Sequence, residues 1–135
     1  MGPEAGFAIW ESGSCSYCHG PLANGDGDDA APAGPNLRRT QLDRDGLIET
    51  IACGRPGTEM PYNLDGAYTV TACYDMPVGA APADVFPGSA FTGEEIEMLA
   101  DFLLEYAVGQ SRVTLENCIV FYGGNPEARG CVEYR

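Results

Sequence analysis

The sequence predicts an all-α, loop-rich fold built from short helices. It contains 18 glycines and 10 prolines in 135 residues, a share that favours loops over long regular elements. The pattern Thr92-Gly93-Glu94-Glu95, followed by apolar residues at helical spacing, predicts a well-capped helix. No segment of useful length alternates apolar and polar residues as a half-buried strand does. At this length we expect one domain.

The best-defined predicted helix runs from about residue 93 to 107 and ends near Gly109. Thr92 and Glu95 have the spacing of a capping box, in which each side chain accepts a hydrogen bond from the backbone N–H of the other residue. Five apolar residues then recur on one helical face, which we expect to be buried: Ile96, Leu99, Phe102, Leu103 and Tyr106.

A shorter helix is predicted over residues 46–53. Asp43 or Asp45 can serve as its N-cap, because a carboxylate at that position accepts a hydrogen bond from the first turn. Three apolar residues on this helix are expected to be buried: Leu47, Ile48 and Ile51.

Another short helix is predicted over residues 6–10, at the start of the chain. Gly6 lacks a side chain, which lets this helix approach the C-terminal helix closely. Trp10 and Phe102 are then expected to fill the space on either side of the contact.

The charge composition limits the classes of partner. Twenty acidic residues stand against seven basic ones, all arginine, for a net charge of −13 and a pI of about 4.1. Such a chain repels nucleic-acid phosphates and anionic lipid headgroups. No run of eighteen apolar residues offers a membrane-spanning helix. A basic or neutral protein partner is therefore expected, with no nucleic acid and no membrane insertion.

Cys15, Cys18 and His19 form the string Cys-Ser-Tyr-Cys-His, the pattern of covalent haem c attachment. Two thiols three positions apart can bond the two vinyl groups of one porphyrin, and the adjacent imidazole can bind the iron. A thioredoxin-like redox pair should follow a strand, whereas a helix is predicted before Cys15. A zinc site should have a second compact ligand pair, and none follows.

The sequence resembles bacterial class I c-type cytochromes over most of residues 5–107. Gly6 and Trp10 match the glycine and aromatic of that family's first helix. Residues 34–37 are similar to the family's Gly-Pro-x-Leu segment. Residues 47–61 are similar to the helix and loop that carry its distal ligand, and residues 94–106 are similar to its C-terminal helix. The resemblance implies short helices wrapped around one covalently bound haem.

By that resemblance, five residues bind the haem: Cys15, Cys18, His19, Pro35 and Met60. His19 and Met60 are the implied iron ligands.

The residues themselves leave two choices for the distal ligand. His19 is the only histidine, so a second histidine cannot bind the iron. Met1 is terminal, and Met98 lies in a predicted helix where methionine is usually core packing. Met60 and Met76 each precede a proline on a loop. The family's order favours Met60, but residues 61–90 are longer than the family's usual link and keep Met76 as an alternative.

The other four cysteines are expected to form disulfides. Of three possible pairings, Cys53 with Cys73 and Cys118 with Cys131 closes two loops of moderate length. The first disulfide would bracket Met60 and tether its loop. Four free thiols are the alternative, which is unfavourable in an exported protein.

We expect residues 1–109 to form a cytochrome c domain with an extended loop at 61–90, and residues 110–135 to be a disulfide-pinned extension. Thr114 can cap a short helix running through Phe121, closed by Gly123-Gly124. The extension is expected to clamp the fold, with a surface for partner docking as the alternative.

The resemblance implies a soluble single-electron carrier and not an enzyme, because a His- and Met-ligated iron has no open position. A haem enzyme or gas sensor with a displaceable distal ligand is the alternative. The implied partners are a periplasmic dehydrogenase as donor, such as a PQQ-dependent quinoprotein, and an oxidase or another cytochrome as acceptor. We expect a monomer in the periplasm, with an export signal that is not part of this chain.

Overall fold

The structure is a computed structural model that describes residues 3–27 and 33–135. The chain divides into two compact units. The terminal unit comprises Met1–Gln41 with Asp101–Arg135, and the central unit comprises Leu42–Ala100. Within the described residues, no helix is long and apolar enough to cross a membrane.

Five α-helices, two strands and two 3-10 helices make up the described elements. In the terminal unit these are α1 (Pro3–Ser12), α2 (Cys15–His19), a 3-10 helix (Leu37–Arg39), α5 (Leu115–Val120) and a second 3-10 helix (Arg129–Tyr134). In the central unit they are α3 (Arg44–Cys53), β1 (Tyr62–Leu64) and β2 (Pro87–Phe91). Helix α4 (Gly93–Tyr106) begins in the central unit and ends in the terminal unit.

The prediction of a purely all-α fold is wrong, because β1 and β2 pair as a two-stranded parallel sheet. Tyr62 pairs with Pro87 and Leu64 with Phe91, with an irregular register between them. A three-residue strand is too short to show alternation, and β2 contains Pro87 and Gly88, which weaken any strand signal. The sheet therefore depends on contacts between distant segments and had no local signature.

Helix α3 confirms the predicted segment and selects its cap. Asp43 is the N-cap, and its carboxylate accepts a hydrogen bond from the Gly46 N–H at 2.8 Å. Leu47 and Ile51 are buried as predicted, but Ile48 is only half-buried. Residues 47 and 51 are one helical turn apart and share a face, whereas residue 48 is rotated by about 100° from it.

Helix α4 confirms the predicted capping box and apolar face. The Thr92 hydroxyl accepts from the Glu95 N–H at 3.1 Å, and the Glu95 carboxylate accepts from the Thr92 N–H at 3.0 Å. Four of the five predicted core residues are buried: Ile96, Leu99, Phe102 and Leu103. The fifth, Tyr106, is half-buried.

The close approach predicted at Gly6 is confirmed within the terminal unit. A Cβ atom on Gly6 would lie 2.4 Å from the Cβ of Phe102. Phe102 also contacts the ring of Phe121, with ring centroids 5.1 Å apart, and Phe121 contacts Trp10 at 5.5 Å. Phe121 therefore joins an aromatic cluster that the sequence predicted only for Trp10 and Phe102.

Arg38 is buried in the same unit, which its charge did not predict. Its Nε donates to the Leu22 carbonyl at 2.7 Å and its Nη1 to the Gln110 carbonyl at 3.0 Å. The guanidinium also lies 5.6 Å from the centroid of Phe121. Burial lowers the pKa of Arg38, and these polar and aromatic contacts compensate part of the cost of removing the charge from water.

Both predicted disulfides are confirmed, Cys53–Cys73 and Cys118–Cys131. Chain entropy assigns each a stabilisation of roughly 3 kcal/mol. The second links α5 to the 3-10 helix near the C-terminus. Helix α5 starts at the predicted cap, where the Thr114 hydroxyl accepts from the Asn117 N–H at 3.2 Å.

Replacing Gly6 with alanine should lower the free energy of unfolding by about 1–3 kcal/mol, because the new methyl group collides with Phe102. Urea unfolding followed by circular dichroism measures the change. Gly93→Ala is the matched control, since a Cβ there meets no atom within 4 Å. Equal unfolding midpoints for Gly6→Ala and the wild type would contradict the close packing.

Candidate functional site

The residues of the Cys-x-x-Cys-His string lie together on helix α2. Cys15 and Cys18 are three residues apart, so they project from neighbouring positions on one side of the helix. All six cysteines lie in the described part of the chain. Four of them form disulfides, whereas Cys15 and Cys18 do not. Helix α2 thus presents two thiols and one imidazole without consuming either thiol in a disulfide.

The thiol chemistry disfavours a redox-active cysteine pair. Burial raises the pKa of Cys15 to about 12, and the neighbouring Cys18 adds to the increase. Reactive redox cysteines instead have lowered pKa values, because the thiolate is the nucleophile. The zinc alternative finds no support in residues 3–27 and 33–135, where no three His, Cys, Asp or Glu side chains are grouped to hold a metal ion.

The His19 ring is oriented by a hydrogen bond to the segment that contains Pro35. Its Nδ1 lies 2.9 Å from the Pro35 carbonyl oxygen. A carbonyl can only accept, so Nδ1 carries the proton and Nε2 keeps its lone pair. Burial lowers the pKa of His19 and favours the neutral ring. A neutral imidazole held through one nitrogen, with the other nitrogen unprotonated, is the usual form of a metal-binding histidine.

The segment around Pro35 packs directly against the cysteine string. The Gly34 N–H donates to the Cys18 carbonyl at 2.9 Å. A Cβ atom on Gly34 would lie 2.8 Å from Nδ1 of His19, and one on Gly27 would lie 2.6 Å from the Tyr17 carbonyl oxygen. Neither glycine was predicted to be a site residue. The sequence signal for Gly34 was its place before Pro35 in the segment that resembles the family's Gly-Pro-x-Leu segment.

The candidate distal ligands lie in the central unit. Met60 is half-buried on the Met60 loop, which we define as residues 54–61. Its N–H donates to the Thr58 hydroxyl at 3.2 Å, and its carbonyl accepts from the Arg55 N–H at 3.2 Å. The turn therefore fixes the backbone of Met60 on both sides.

Met76 has a different environment. Its side chain is 37% exposed, and it lines a surface groove of about 530 Å³ together with Glu49 and Thr50 of α3. Cys15, Cys18, His19 and Pro35 are brought together in the terminal unit. Met60 and Met76 both belong to the central unit.

Comparison with protein families identifies the chain. The family model described as "Cytochrome C oxidase, cbb3-type, subunit III" matches residues 2–69, which is half of the sequence. The chain is a c-type cytochrome of this family. The matched region of the cytochrome includes α1, α2, α3 and the Met60 loop. Searches of curated proteins and of solved structures give no significant match.

The cytochrome is an electron-transfer haem protein with one covalently attached haem c, as its family membership shows. The residues of α2 fit this cofactor: two thiols at the required spacing are unpaired, and the only histidine presents an unprotonated nitrogen. Most of the long loop between β1 and β2, residues 70–86, lies beyond the matched residues.

Replacing Gly34 with alanine should destabilise the cytochrome by about 1–3 kcal/mol, because the methyl group displaces the His19 ring or the Cys18 carbonyl. Urea unfolding of the holoprotein measures this loss, and NMR of the His19 ring tests the displacement. Gly79→Ala is the control, since a Cβ there meets no atom within 4 Å. Unchanged stability together with an unshifted His19 ring in Gly34→Ala would contradict the packing described.

Proposed function

We propose that the cytochrome is a monohaem, class I single-electron carrier with His and Met axial ligands. Cys15 and Cys18 form the thioether links, Nε2 of His19 is the proximal ligand, and the Met60 sulfur is the distal ligand. The bound haem supplies the ferric–ferrous couple. The observation that carries this proposal is the His19–Pro35 hydrogen bond, which leaves Nε2 available for iron.

Each of these residues has a distinct task. The Pro35 carbonyl accepts a hydrogen bond from the Nδ1–H group, which fixes the ring plane of His19 and increases the basicity of Nε2. A thioether ligand favours the reduced iron and raises the potential relative to a second imidazole. The Met60 loop holds this weak ligand in place through the backbone bonds of Met60. A residue bound at each axial position leaves no site for substrate or oxygen.

Two features favour Met60 over Met76 as the distal ligand. Met60 follows α3 in the family's order, inside the region matched by the family model. Met76 lies outside that region and is more than a third exposed.

The net charge of −13 supports a partner with a basic or neutral docking face. We propose a periplasmic dehydrogenase, such as a quinoprotein, as donor, since c-type cytochromes typically act outside the cytoplasm. An oxidase or another cytochrome is the proposed acceptor. The description of the matched family names an oxidase subunit, which supports delivery toward an oxidase. A brief electron-transfer contact requires only a small interface.

The ligand assignment is tested by comparing Met60→Leu with Met76→Leu in the ferric holoprotein. Met60→Leu should abolish the weak long-wavelength absorption band of thioether-bound ferric iron and lower the reduction potential. Met76→Leu is the matched control and should leave both unchanged, because an unbonded methionine contributes only packing. Loss of the band in Met76→Leu with retention in Met60→Leu would transfer the ligand role to Met76. A wild-type protein that lacks the band would instead favour the haem enzyme or gas sensor.

The charge argument is tested with two small oxidants of opposite sign. Oxidation of the reduced cytochrome by a cationic cobalt(III) complex should slow as salt is added, because screening shortens the reach of surface charge to about 10 Å at 0.1 M. Oxidation by anionic ferricyanide should accelerate over the same range. Stopped-flow absorbance measures both rates. Two rates that are independent of ionic strength would contradict a role for acidity in partner choice.

A further inference from the structure

Two tyrosines from the segment between β1 and β2 bind the base of the Met60 loop. The Tyr68 hydroxyl donates to the carbonyl of Cys53 at 2.7 Å, and the Tyr74 hydroxyl donates to the carbonyl of Gly54. Tyr68 is buried, with 3% of its surface exposed. Neither contact was predicted from the sequence.

These carbonyls lie where α3 ends and the Met60 loop begins. The last carbonyls of a helix have no partner within the helix and must find one elsewhere. Gly54 has a φ of 68°, so the chain leaves the helix there in a left-handed turn. The two hydroxyls therefore satisfy carbonyls at the point where the direction of the loop is set.

Both ends of the Met60 loop meet at this point. A Cβ atom on Gly54 would lie 2.6 Å from the carbonyl carbon of Pro61. The Arg55 N–H also binds the Met60 carbonyl at 3.2 Å. Displacing Gly54 therefore displaces Met60 and Pro61 as well.

The rest of the segment supports the same loop. The Gly57 N–H donates to the Asp84 carbonyl at 2.9 Å. This hydrogen bond attaches the Met60 loop to the segment between β1 and β2 at another point. The disulfide between Cys53 and Cys73 keeps Tyr74 next to the end of α3. The disulfide holds Cys53 and Cys73 together. The two tyrosine hydroxyls instead hold the carbonyls of Cys53 and Gly54, where the Met60 loop begins.

We propose that Tyr68 is a positioning residue for Met60, assisted by Tyr74. Their hydroxyls hold the base of the Met60 loop closed, so that an external ligand cannot readily replace the Met60 sulfur at the iron. This inference rests on the proposed ligand role of Met60. It assigns the long segment between the strands a function in retaining the distal ligand.

The substitution Tyr68→Phe isolates the hydroxyl. The ring of Tyr68 packs edge-on against Tyr62, with centroids 5.7 Å apart, and phenylalanine preserves that contact. In this variant the Cys53 carbonyl loses the hydrogen bond that the Tyr68 hydroxyl donates. The loop has to move before another donor can replace it.

The measurement is an imidazole titration of the ferric holoprotein, followed by loss of the thioether band. Imidazole binds only when Met60 has left the iron, so its apparent affinity reports the open fraction of the loop. Tyr68→Phe should bind imidazole roughly fivefold more tightly than the wild type, the ratio expected for one lost hydrogen bond. Tyr74→Phe should shift the affinity in the same direction and serves as the second variant if Tyr68→Phe does not fold.

Tyr106→Phe is the matched control, because it removes a hydroxyl from the terminal unit and should leave imidazole affinity unchanged. Urea unfolding of each variant separates a general loss of stability from a specific loosening of the loop. If Met60→Leu abolishes the band while Tyr68→Phe and Tyr74→Phe bind imidazole as the wild type does, the positioning role is overturned and the ligand assignment stands. If Met60→Leu retains the band, both are overturned.

Discussion

Gly6 lies so close to Phe102 that a single methyl group has no room between them. This contact sets the spacing of α1 in the terminal unit, and α2 follows α1 after only two residues. The ring of Phe102 is then covered by Phe121, which also contacts Trp10. The position of the Cys-x-x-Cys-His helix therefore depends on a glycine that contributes no side chain of its own.

The side chains of the site keep groups that can still bind a cofactor. The two thiols of α2 form no disulfide, although the other four cysteines are paired. Burial raises the pKa of the Cys15 thiol, which favours its protonated form. His19 uses one nitrogen for the Pro35 carbonyl and retains the other. Two unpaired thiols and one imidazole within five consecutive residues fit a covalently attached haem c.

If Met60 is the distal ligand, as proposed, the central unit has a different task, which is to hold a weak ligand on a loop. An iron–thioether bond cannot by itself order eight residues against their conformational entropy. The Met60 loop is closed by its own backbone bonds, by the disulfide at Cys53, and by hydroxyls that bind the end of α3. Asn63 adds to this closure, because its buried side-chain amide donates to the Ile51 carbonyl and accepts from the Ser89 N–H. The same side chain joins β1 to β2.

The sequence by itself determined the features that depend on neighbouring residues. The caps at Thr92 and Thr114 each bind the turn that follows them, and the haem motif is contained in five consecutive residues. For α3 the sequence left Asp43 and Asp45 as candidate caps, and the structure selects Asp43. For the disulfides, committing Cys15 and Cys18 to haem left three pairings, and the structure has the one that the sequence favoured. Only the tertiary structure decided the parallel sheet, the burial of Arg38 and the contacts of Tyr68. Their partners lie far away in the chain, so their stability comes from carbonyls and rings that meet only after folding.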